Sequence, residues 1–571
     1  MATAESMSKG RGEKLVHAGR ILFVAVFCIS LSSDSYANPA GGSIQVGEIR
    51  FEQQGNSLLV IQGSDRGIID WDSFSIANGE TTRFLQPGSS SATLNRVTGE
   101  TLSRIDGRLL ANGRVFLLNS NGIIVGREGQ IDVAGFVAST LDIDNNEFLA
   151  GGDLSLKGAS QAAVINLGSI SAFDGDVFLV AATVDNSGFL RAPKGTVGLA
   201  AGNDVLIKES GAERIYVRGA SGGQKEEGVV NRGTIEANVA ELKSYGGNLY
   251  GMAVKNEGRV AATAVTREGG QIFLRAGGRS PGKKATGGGR IQSTGTLTVS
   301  RPVDGNGGNI VIDAGPEGKT EVGGTLDVRG RGGKGGEVIL LGDTVEVFEG
   351  ALILADGDSG GGTVKIGGGL QGGDAELDNS SSVTIGSGAQ ISADALISGD
   401  GGTVIVFAEG TLHFRGQASV NGGVFGGNGG FVELSGKQSL FVDDLVGQVD
   451  LTSAQGLAGT LLLDPVDLSV ISGVSGGVAG TTITDGAIND FLTSSGSLII
   501  TTSTGTGGSG DITVAGDAAI TWANSSELRF FADRDFIMSG GASIASTGTG
   551  DFVVEALRLI QLGSGSQITT G

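Results

Sequence analysis

The chain has 571 residues and a formal net charge of −21, and 104 of its residues are glycine, against 7 prolines and one cysteine. Abundant glycine without abundant proline excludes a proline-rich disordered tract, and the hydrophobic fraction of 39% is enough to bury a core. Such an acidic chain repels phosphate backbones, so we expect no nucleic-acid partner.

The first 37 residues have the organisation of a secretory signal peptide. An apolar run at residues 21–31 is too short to span a bilayer, and Ser35-Tyr36-Ala37 is a plausible cleavage site. We therefore predict cleavage after Ala37. The single cysteine, Cys28, lies in the apolar run, so the predicted mature chain has no cysteine. Four basic residues precede the run: Lys9, Arg11, Lys14 and Arg20.

The pattern of residues 84–141 predicts short strands joined by tight turns. Apolar and polar residues alternate over short runs, and a glycine or an Asn-Gly pair follows each run within a few residues. Asn112-Gly113 and Asn121-Gly122 suit turn positions that need a left-handed backbone. We expect residues 38–63 to form an N-terminal cap of strands, because the end of a stacked array must be covered.

A first repeat register begins near residue 164. The pattern Asn-x-Gly-x-apolar-x-Ala occurs four times, with spacings of 20, 45 and 25 residues. The register predicts that its asparagines occupy equivalent turns, with their amides stacked, and that its apolar residues all face the core. The asparagines are Asn166, Asn186, Asn231 and Asn256, and the apolar residues are Ile170, Leu190, Ile235 and Val260.

A second register dominates from residue 269, where paired glycines precede short apolar strands such as those at Gln271, Asn309 and Glu337. Strand and turn residues that recur at such periods predict a solenoid. No amphipathic helical window of comparable length is evident. The predicted fold is all-β, a right-handed parallel β-helix with an N-terminal capping segment and roughly 22 residues per coil.

The segment from 42 to 141 resembles the N-terminal secretion domain of two-partner-secreted exoproteins, the filamentous haemagglutinin family. The resemblance rests on Asn95-Arg96-Val97 within LNRV, on the run SRIDGRLLANGRVFLLN, and on Asn119-Ser120-Asn121-Gly122-Ile123. The family usually has proline where this chain has Ser120. The resemblance implies a secretion domain over residues 38–280, and we expect glycine-rich β-helix repeats over 281–571.

The same resemblance implies a partner, an outer-membrane β-barrel transporter whose periplasmic domains recognise the exported chain. It implies a secreted or surface location in a Gram-negative bacterium, reached through the periplasm, and an adhesin-like role. Host-cell and glycan receptors are the open classes of adhesion target. A mature chain without disulfides fits passage through the membrane in an unfolded state.

The mature chain offers little for catalysis. His413 is its only histidine, and its place in an alternating strand predicts that it faces solvent. We expect no enzyme activity, no catalytic residues, no cofactor and no metal site, since a zinc site needs three or four suitable ligands. The alternative is a secreted carbohydrate-active β-helix enzyme, because such enzymes need only a pair of carboxylates on one groove wall and this chain has many carboxylates.

Residues 559–571 repeat the strand pattern that precedes them, and no polar cap or amphipathic helix covers them in the sequence. An uncovered coil presents unpaired backbone groups. We therefore expect the chain to be the front part of a longer exoprotein or a truncated product, with a final coil that is poorly ordered or paired with another molecule.

Overall fold

The structure is a computed structural model that describes residues 38–219, 227–245, 252–263, 270–278, 280–300, 304–504 and 507–570. The predicted signal peptide, with Cys28, lies outside the described residues. Short strands account for most of the described structure, and their bounds follow in chain order.

The N-terminal part contains six strands, β1 (Ser43–Val46), β2 (Ile49–Gln54), β3 (Ser57–Gln62), β4 (Arg66–Trp71), β5 (Thr81–Leu85) and β6 (Ala92–Val97). The segment that follows contains β7 (Ser103–Ile105), β8 (Arg108–Ala111), β9 (Arg114–Leu118), β10 (Ile123–Val125), β11 (Gln130–Val133), β12 (Gly135–Ser139), the helix α1 (Asn145–Ala150), β13 (Leu154–Lys157), β14 (Ala163–Asn166), β15 (Ser169–Ala172), β16 (Val177–Ala181), β17 (Thr183–Asn186), β18 (Phe189–Ala201), β19 (Asp204–Ile207) and β20 (Ile215–Gly219).

The middle of the chain contains β21 (Glu227–Asn231), β22 (Thr234–Ser244), β23 (Met252–Asn256), β24 (Arg259–Ala262), β25 (Gln271–Arg275), β26 (Arg290–Ser293), β27 (Thr296–Thr298), β28 (Asn309–Asp313), β29 (Lys319–Val322), β30 (Thr325–Asp327), β31 (Glu337–Leu341), β32 (Thr344–Val347), β33 (Leu352–Leu354), β34 (Thr363–Ile366), a 3-10 turn (Leu370–Gly372), β35 (Ser382–Ile385), β36 (Gln390–Ser392), β37 (Thr403–Ala408), β38 (Thr411–Phe414), β39 (Gln417–Ser419) and β40 (Phe431–Gly436).

The C-terminal part contains β41 (Ser439–Val442), the helix α2 (Leu445–Gln448), β42 (Val449–Asp450), β43 (Thr460–Leu463), β44 (Leu468–Ile471), β45 (Val478–Gly480), β46 (Thr482–Thr484), the helix α3 (Asp485–Ser494), β47 (Ser497–Thr501), β48 (Ile512–Val514), β49 (Ala519–Trp522), β50 (Leu528–Ala532), β51 (Asp535–Met538), β52 (Ser543–Ser546), β53 (Phe552–Ala556), β54 (Leu559–Leu562) and β55 (Gln567–Thr569).

These strands wind into a right-handed parallel β-helix with three faces, as the repeat registers predict. In a typical coil the chain passes through one strand of each face, as in β10, β11 and β12, and then pairs in parallel with the next coil, as in β14, β15 and β16. We call the faces that contain β11, β12 and β10 faces A, B and C, respectively. The long strands β18 and β22 each bend from face A into face B.

The apolar residues of the first register face the core in one column. Ile131, Ile170, Leu190, Ile235 and Val260 pair in sequence along face A, and each is at most 1% exposed. This confirms the predicted register. The column continues through Leu297, Leu326, Ile353 and Ile391.

Glycine marks two corners of the coil because the backbones of successive coils approach closely there. A Cβ on Gly233 would lie 2.1 Å from the carbonyl oxygen of Gly188, and one on Gly258 would lie 2.1 Å from that of Gly233. Before face B, a Cβ on Gly402 would lie 2.1 Å from the oxygen of Gly362. Such distances exclude every side chain, so these glycines account for both registers.

The N-terminal cap differs from the coils in its antiparallel pairing. β2 and β3 form a hairpin, and β1 pairs antiparallel with β4. β3 and β4 then pair in parallel with β5 and β6, which start the ladders of faces A and B. The cap therefore occupies the first edge of the helix, which the sequence analysis assigned to residues 38–63 and which the structure extends to β4.

A side layer covers the outer surface of face B. It consists of α1 and an antiparallel sheet of β13, β19 and β20. Phe116 and Phe178 point outward from face B and pack in a second apolar core with Phe148, Val205 and Ile215 of the layer. The phenyl rings of Phe116 and Phe148 meet edge to face at 5.2 Å. This layer was not predicted.

Helix α3 corrects the expectation that no helical window occurs. It precedes β47, packs beside β49, and contributes Ile488, Phe491 and Leu492 to the main core. Thr484 caps its N-terminus by accepting from the Ala487 N–H at 3.2 Å. Among the described residues, no helix has both the length and the apolar character needed to cross a membrane.

The last coil is formed, with β54 and β55 paired in parallel to β51 and β52. Its apolar residues are exposed, Ile560 by 46% and Leu562 by 53%. The prediction that the chain continues beyond this coil stays a prediction.

Buried charges join the side layer to face B. Glu213 accepts from Lys243 at 2.7 Å and from Arg275 at 2.6 and 2.9 Å, and Lys243 also pairs with the buried Glu241 at 2.7 Å. Burial raises the pKa of Glu213, but the Lys243 and Arg275 cations outweigh burial and hold that pKa at about 2. Arg275 also pairs with Asp313 at 2.9 Å.

We expect Glu213→Gln to lower the free energy of unfolding by about 3 kcal/mol at pH 7, because a half-buried carboxylate paired with two cations is lost. The folded-state pKa lies below the ordinary value of 4.5, so this stabilisation is present above pH 4.5 and is lost as the pH falls toward about 2. Urea unfolding at pH 7 and at pH 2 measures both effects. Glu236→Gln, which removes a half-exposed partner of Arg191, is the matched control; equal losses in the two variants would contradict the prediction.

Candidate functional site

The predicted turn at residues 119–123 joins β9 to β10. The carboxamide oxygen of Asn119 accepts from the backbone N–H of Asn121 at 2.9 Å, and the Gly122 N–H donates to the Asn119 carbonyl at 3.1 Å. Gly122 has a φ of 112°, a conformation that side chains disfavour. Ser120 is exposed and its carbonyl accepts from the Ser160 hydroxyl at 2.6 Å, while Ile123 is fully buried.

Amide side chains fasten this turn to the segment between β6 and β7. The Asn119 side chain donates to the Thr101 carbonyl and to the Ser103 hydroxyl, both at 2.9 Å. The Asn121 side chain donates to the Gly99 carbonyl at 2.8 Å. The turn is thereby connected to the coil before it by three hydrogen bonds in addition to the strand ladder.

Asn95, Arg96 and Val97 end strand β6, directly before that segment. Asn95 is fully buried, accepts from the indole N–H of Trp71 at 3.0 Å, and donates to the Phe116 carbonyl at 3.1 Å. Val97 packs in the main core. The structure therefore brings both predicted motifs to one segment, residues 98–103. The Asn95-Arg96-Val97 motif precedes this segment in the chain, and the turn at residues 119–123 hydrogen-bonds to it.

Arg96 points outward and holds the start of the side layer. Its guanidinium donates to Asp142 at 3.0 Å, to the Ile143 carbonyl at 3.1 Å and to Asn145 at 2.9 Å, and it lies 3.5 Å from Asp70. The sequence analysis did not anticipate these partners. Asp142 and Asp144, a few residues after β12, were the available signal, because aspartate is a preferred N-cap residue of a helix.

The four asparagines of the first register form a continuous stack inside the helix. They are the last residues of β14, β17, β21 and β23, one position before the turns to which the sequence analysis assigned them. Asn166 donates to Asn186, Asn186 to Asn231, and Asn231 to Asn256, each at 2.8 Å. All four are fully buried.

Ser293 extends this asparagine stack, and the sequence analysis missed it. The Asn256 side chain donates to the Ser293 hydroxyl at 3.3 Å, and Ser293 is also fully buried. Ser293 stands two residues before Gly295, so the pattern of a short polar residue followed by x-Gly was the signal. The column ends at Val125 on one side and Val322 on the other.

Comparison with known proteins shows what this part of the chain is similar to. A family model described as the TPS secretion domain matches residues 35–293. The crystal structure of the HMW1 secretion domain from Haemophilus influenzae superposes with a TM-score of 0.56 at 28% identity, covering 75% of this chain and all of that one. Residues 35–293 of this chain belong to the TPS secretion domain family.

Two curated relatives agree with this family over shorter segments. Both are Heme/hemopexin-binding proteins of Haemophilus influenzae, 42% identical over 106 and 89 residues. The matched segments cover 19% and 16% of this chain, and only 12% and 10% of those proteins. The chain therefore spans a small part of the length of the curated relatives it matches.

The TPS secretion domain shows no break in its ladders near the predicted boundary at residue 280. β25 pairs with β28 and β23 pairs with β26 across it, in parallel. The division into residues 38–280 and 281–571 thus stays a prediction. Within residues 277–289, Gly278 and Thr286 exchange two backbone hydrogen bonds of 3.0 Å, which tie part of this glycine-rich stretch together.

Two carboxyl groups with raised pKa values lie under the 3-10 turn. Burial raises the pKa of Glu433 to about 7, and burial likewise raises that of Asp464. Both residues are fully buried. Glu433 accepts from the backbone N–H of Gln371 at 2.9 and 3.1 Å, and Lys437 donates to Asp464. Neither carboxyl is open to a substrate, so this pair does not provide the groove-wall acid and base that a glycosidase uses.

His413 lies on the outer side of β38, as its alternating strand predicts. Its ring stacks on that of Phe441 at 4.6 Å with an interplanar angle of 7°. Among the described residues, no group of three or more histidine, cysteine or acidic side chains is arranged to hold a metal ion. The acidic residues after β12 instead serve the fold, since Asp144 caps α1 and Asp142 pairs with Arg96.

We expect Asn186→Ala to destabilise the domain by about 2 kcal/mol, because it leaves the neighbouring amides of the stack with an unpaired donor and acceptor. Asn186→Asp should lower the free energy of unfolding more than Asn186→Ala at pH 7, because it buries a charge. At pH 4 its effect should be smaller, because the acid is protonated and donates a hydrogen bond. Urea unfolding at both pH values measures this. The same substitutions at exposed Asn146 should have little effect, and a pH-independent loss in Asn186→Asp would contradict the explanation.

We expect Glu433 to make the protein less stable as the pH rises. Its folded-state pKa of about 7 lies above the ordinary value of 4.5, so its stabilising contribution is complete below pH 4.5 and is lost as the pH rises to about 7. Between pH 5 and pH 8, the unfolding free energy of Glu433→Gln should fall by about 3 kcal/mol less than that of the unsubstituted chain. Half-exposed Glu337→Gln is the control. An unchanged slope in Glu433→Gln would refute this assignment.

Proposed function

We propose that this chain is an exported, adhesin-like exoprotein that leaves a Gram-negative cell through a dedicated outer-membrane β-barrel partner. The observation that carries the proposal is the TPS secretion domain at residues 35–293, with both motifs of the resemblance fixed around residues 98–103. In this proposal the periplasmic domains of the partner bind the secretion domain before it folds. The chain is then a binding protein at or beyond the cell surface and has no enzymatic role.

The composition supports passage in an unfolded state. The only cysteine is Cys28, so no disulfide can close a loop in residues 38–571. Each coil hydrogen-bonds along its strands to the coil before it, so folding outside the membrane proceeds by addition of one coil at a time. Each added coil buries apolar surface on the one before it, which favours forward movement of the chain.

The names of the two Haemophilus relatives give heme and hemopexin as their ligands. The shared segments are about a tenth of those proteins, so they support a shared export route and assign no ligand to this chain. The adhesin-like role rests on the continuation of the β-helix through residues 281–570, whose outer surface is available for recognition. Host-cell proteins and glycans are the candidate receptor classes.

Export should depend on the partner. We expect the full chain, expressed in a Gram-negative host without a related transporter, to stay in the periplasm, and to appear in the medium or on the cell surface when its outer-membrane barrel partner is co-expressed. Immunoblots of medium, surface and periplasm measure the distribution. Export that needs no barrel partner would contradict the proposal.

The Asn121→Val/Gly122→Val double variant should lose export while the chain is still made. It removes the hydrogen bond to Gly99 and places a β-branched side chain at a φ of 112°. The amount outside the cell should fall at least tenfold, with the periplasmic amount unchanged or raised. Asn146→Ala, at an exposed asparagine of α1, is the matched control. Normal export of the double variant would show that this turn is not part of the secretion signal.

A further inference from the structure

A cleft lies where the side layer meets face B, and no part of the proposed export function uses it. Its volume is about 340 Å³, in the range of small-molecule sites. Phe116 and Phe178 contribute apolar surface, and Arg66 and Arg114 contribute guanidinium groups. The glycines of its wall leave it open: a Cβ on Gly151 would lie 2.7 Å from Nη2 of Arg66.

Among the described residues, Arg66 and Arg114 have acidic neighbours but no ion-pair partner: Glu209 and Asp65 act on Arg66, and Arg114 acts on Asp174. Arg66 donates to the Phe148 carbonyl at 2.5 Å and lies over the Phe148 ring at 5.2 Å. Within the part of the chain that the structure describes, neither arginine forms an ion pair with a carboxylate. The other cations at the cleft are paired, Lys194 with Asp174 at 3.0 Å and Arg214 with Asp176 at 2.6 Å, as is Lys208 with Asp153 at 3.6 Å.

The lining of the cleft has a positive net charge, whereas the net charge of the whole chain is negative. The lining has five cationic side chains and three acidic ones, although the chain has a net charge of −21. Burial lowers the pKa of the Arg66 guanidinium and the like charge of Arg114 lowers it further, while the carboxylates of Glu209 and Asp65 oppose this shift. Two like charges without ion-pair partners repel each other, and an anion bound between them adds to the partial compensation that these carboxylates provide. The eight charged lining residues are Arg66, Arg114, Lys194, Lys208, Arg214, Asp174, Asp176 and Glu209.

We propose that this cleft binds a small organic anion, with its carboxylate or phosphate group held by Arg66 and Arg114 and its apolar part against Phe116 and Phe178. Guanidinium groups are suited to both anions, because their N–H donors match the geometry of carboxylate and phosphate oxygens. The aromatic floor favours a ligand with a ring or a hydrocarbon part over a bare ion. The cleft requires the side layer to be docked, so it exists only in the folded protein.

The test uses the folded mature chain, titrated calorimetrically with benzoate, with phenyl phosphate and with inorganic phosphate. We expect the two aromatic anions to bind more tightly than inorganic phosphate, and Arg114→Gln to weaken both at least tenfold. Preference for benzoate or for phenyl phosphate identifies the anionic group. Arg114 is exposed, so its substitution should leave the fold intact, and thermal unfolding checks this.

Arg108→Gln is the matched control, since it removes an exposed cation from β8, on a different face of the helix. It should leave both affinities unchanged. Arg66→Gln should weaken binding as Arg114→Gln does, provided its thermal unfolding is unaltered. No binding of either aromatic anion at 10 mM, or equal weakening by Arg108→Gln and Arg114→Gln, would overturn the proposal.

Discussion

The close approach of successive coils at two corners is the constraint on which the rest of the structure depends. At the corner before face A, a Cβ on Gly295 would lie 2.0 Å from the carbonyl oxygen of Gly258, and at the corner before face B one on Gly430 would lie 2.1 Å from that of Gly402. Any side chain there would separate the coils and break the strand ladders on both sides. Glycine at these columns therefore lets the parallel pairing continue through long insertions between strands.

Inside the β-helix, the asparagine stack fixes the alignment of successive coils, which a purely apolar core would leave unspecified. Apolar columns such as that of Ile170 and Leu190 bury surface without fixing a unique alignment, because a two-residue slip brings inward-facing apolar groups together again. Each buried amide of the stack needs one donor and one acceptor in the adjacent coils, and a slip leaves both unpaired. The stack spans β14 to β26, within the TPS secretion domain.

The sequence predicts the coils well because each coil repeats the same local requirements. An asparagine, a glycine two residues later and an apolar residue after that identify one corner and one strand, so Asn166 and Asn231 could be aligned across an irregular spacing. The side layer could not be predicted in this way, because it occurs once and no repeat reveals it. The signal present was local: β16 is apolar at every position and β12 at every position but Ser139, and both strands are buried on both sides. A strand whose consecutive residues are nearly all apolar is usually covered on both faces.

Helix α3 and the charged cleft were missed for a different reason. The helix has only ten residues and takes its stability from Ile488, Phe491 and Leu492 packing into the core, so its periodicity is weak outside that context. The cleft is built from strands far apart in sequence. Arg66 and Arg114 stand on different strands of face B, and the layer opposite them is supplied by residues 145–219. No spacing in the sequence indicates that these groups share a site.

These long separations order the folding events that export would require. The cap and the first coils pair with neighbours near in sequence, as β5 does with β8 and β6 with β9. The side layer joins later, because Arg66 reaches Phe148 across 82 residues and Glu213 reaches Arg275 across 62. Contacts between distant residues form only after the intervening chain is ordered, since loop closure opposes them. A chain that emerges from its N-terminus outward would thus form the cap and the first coils first, and would dock the side layer once residues up to 219 have been delivered. The Glu213–Arg275 pair and the end of the asparagine stack at Ser293 would be completed last.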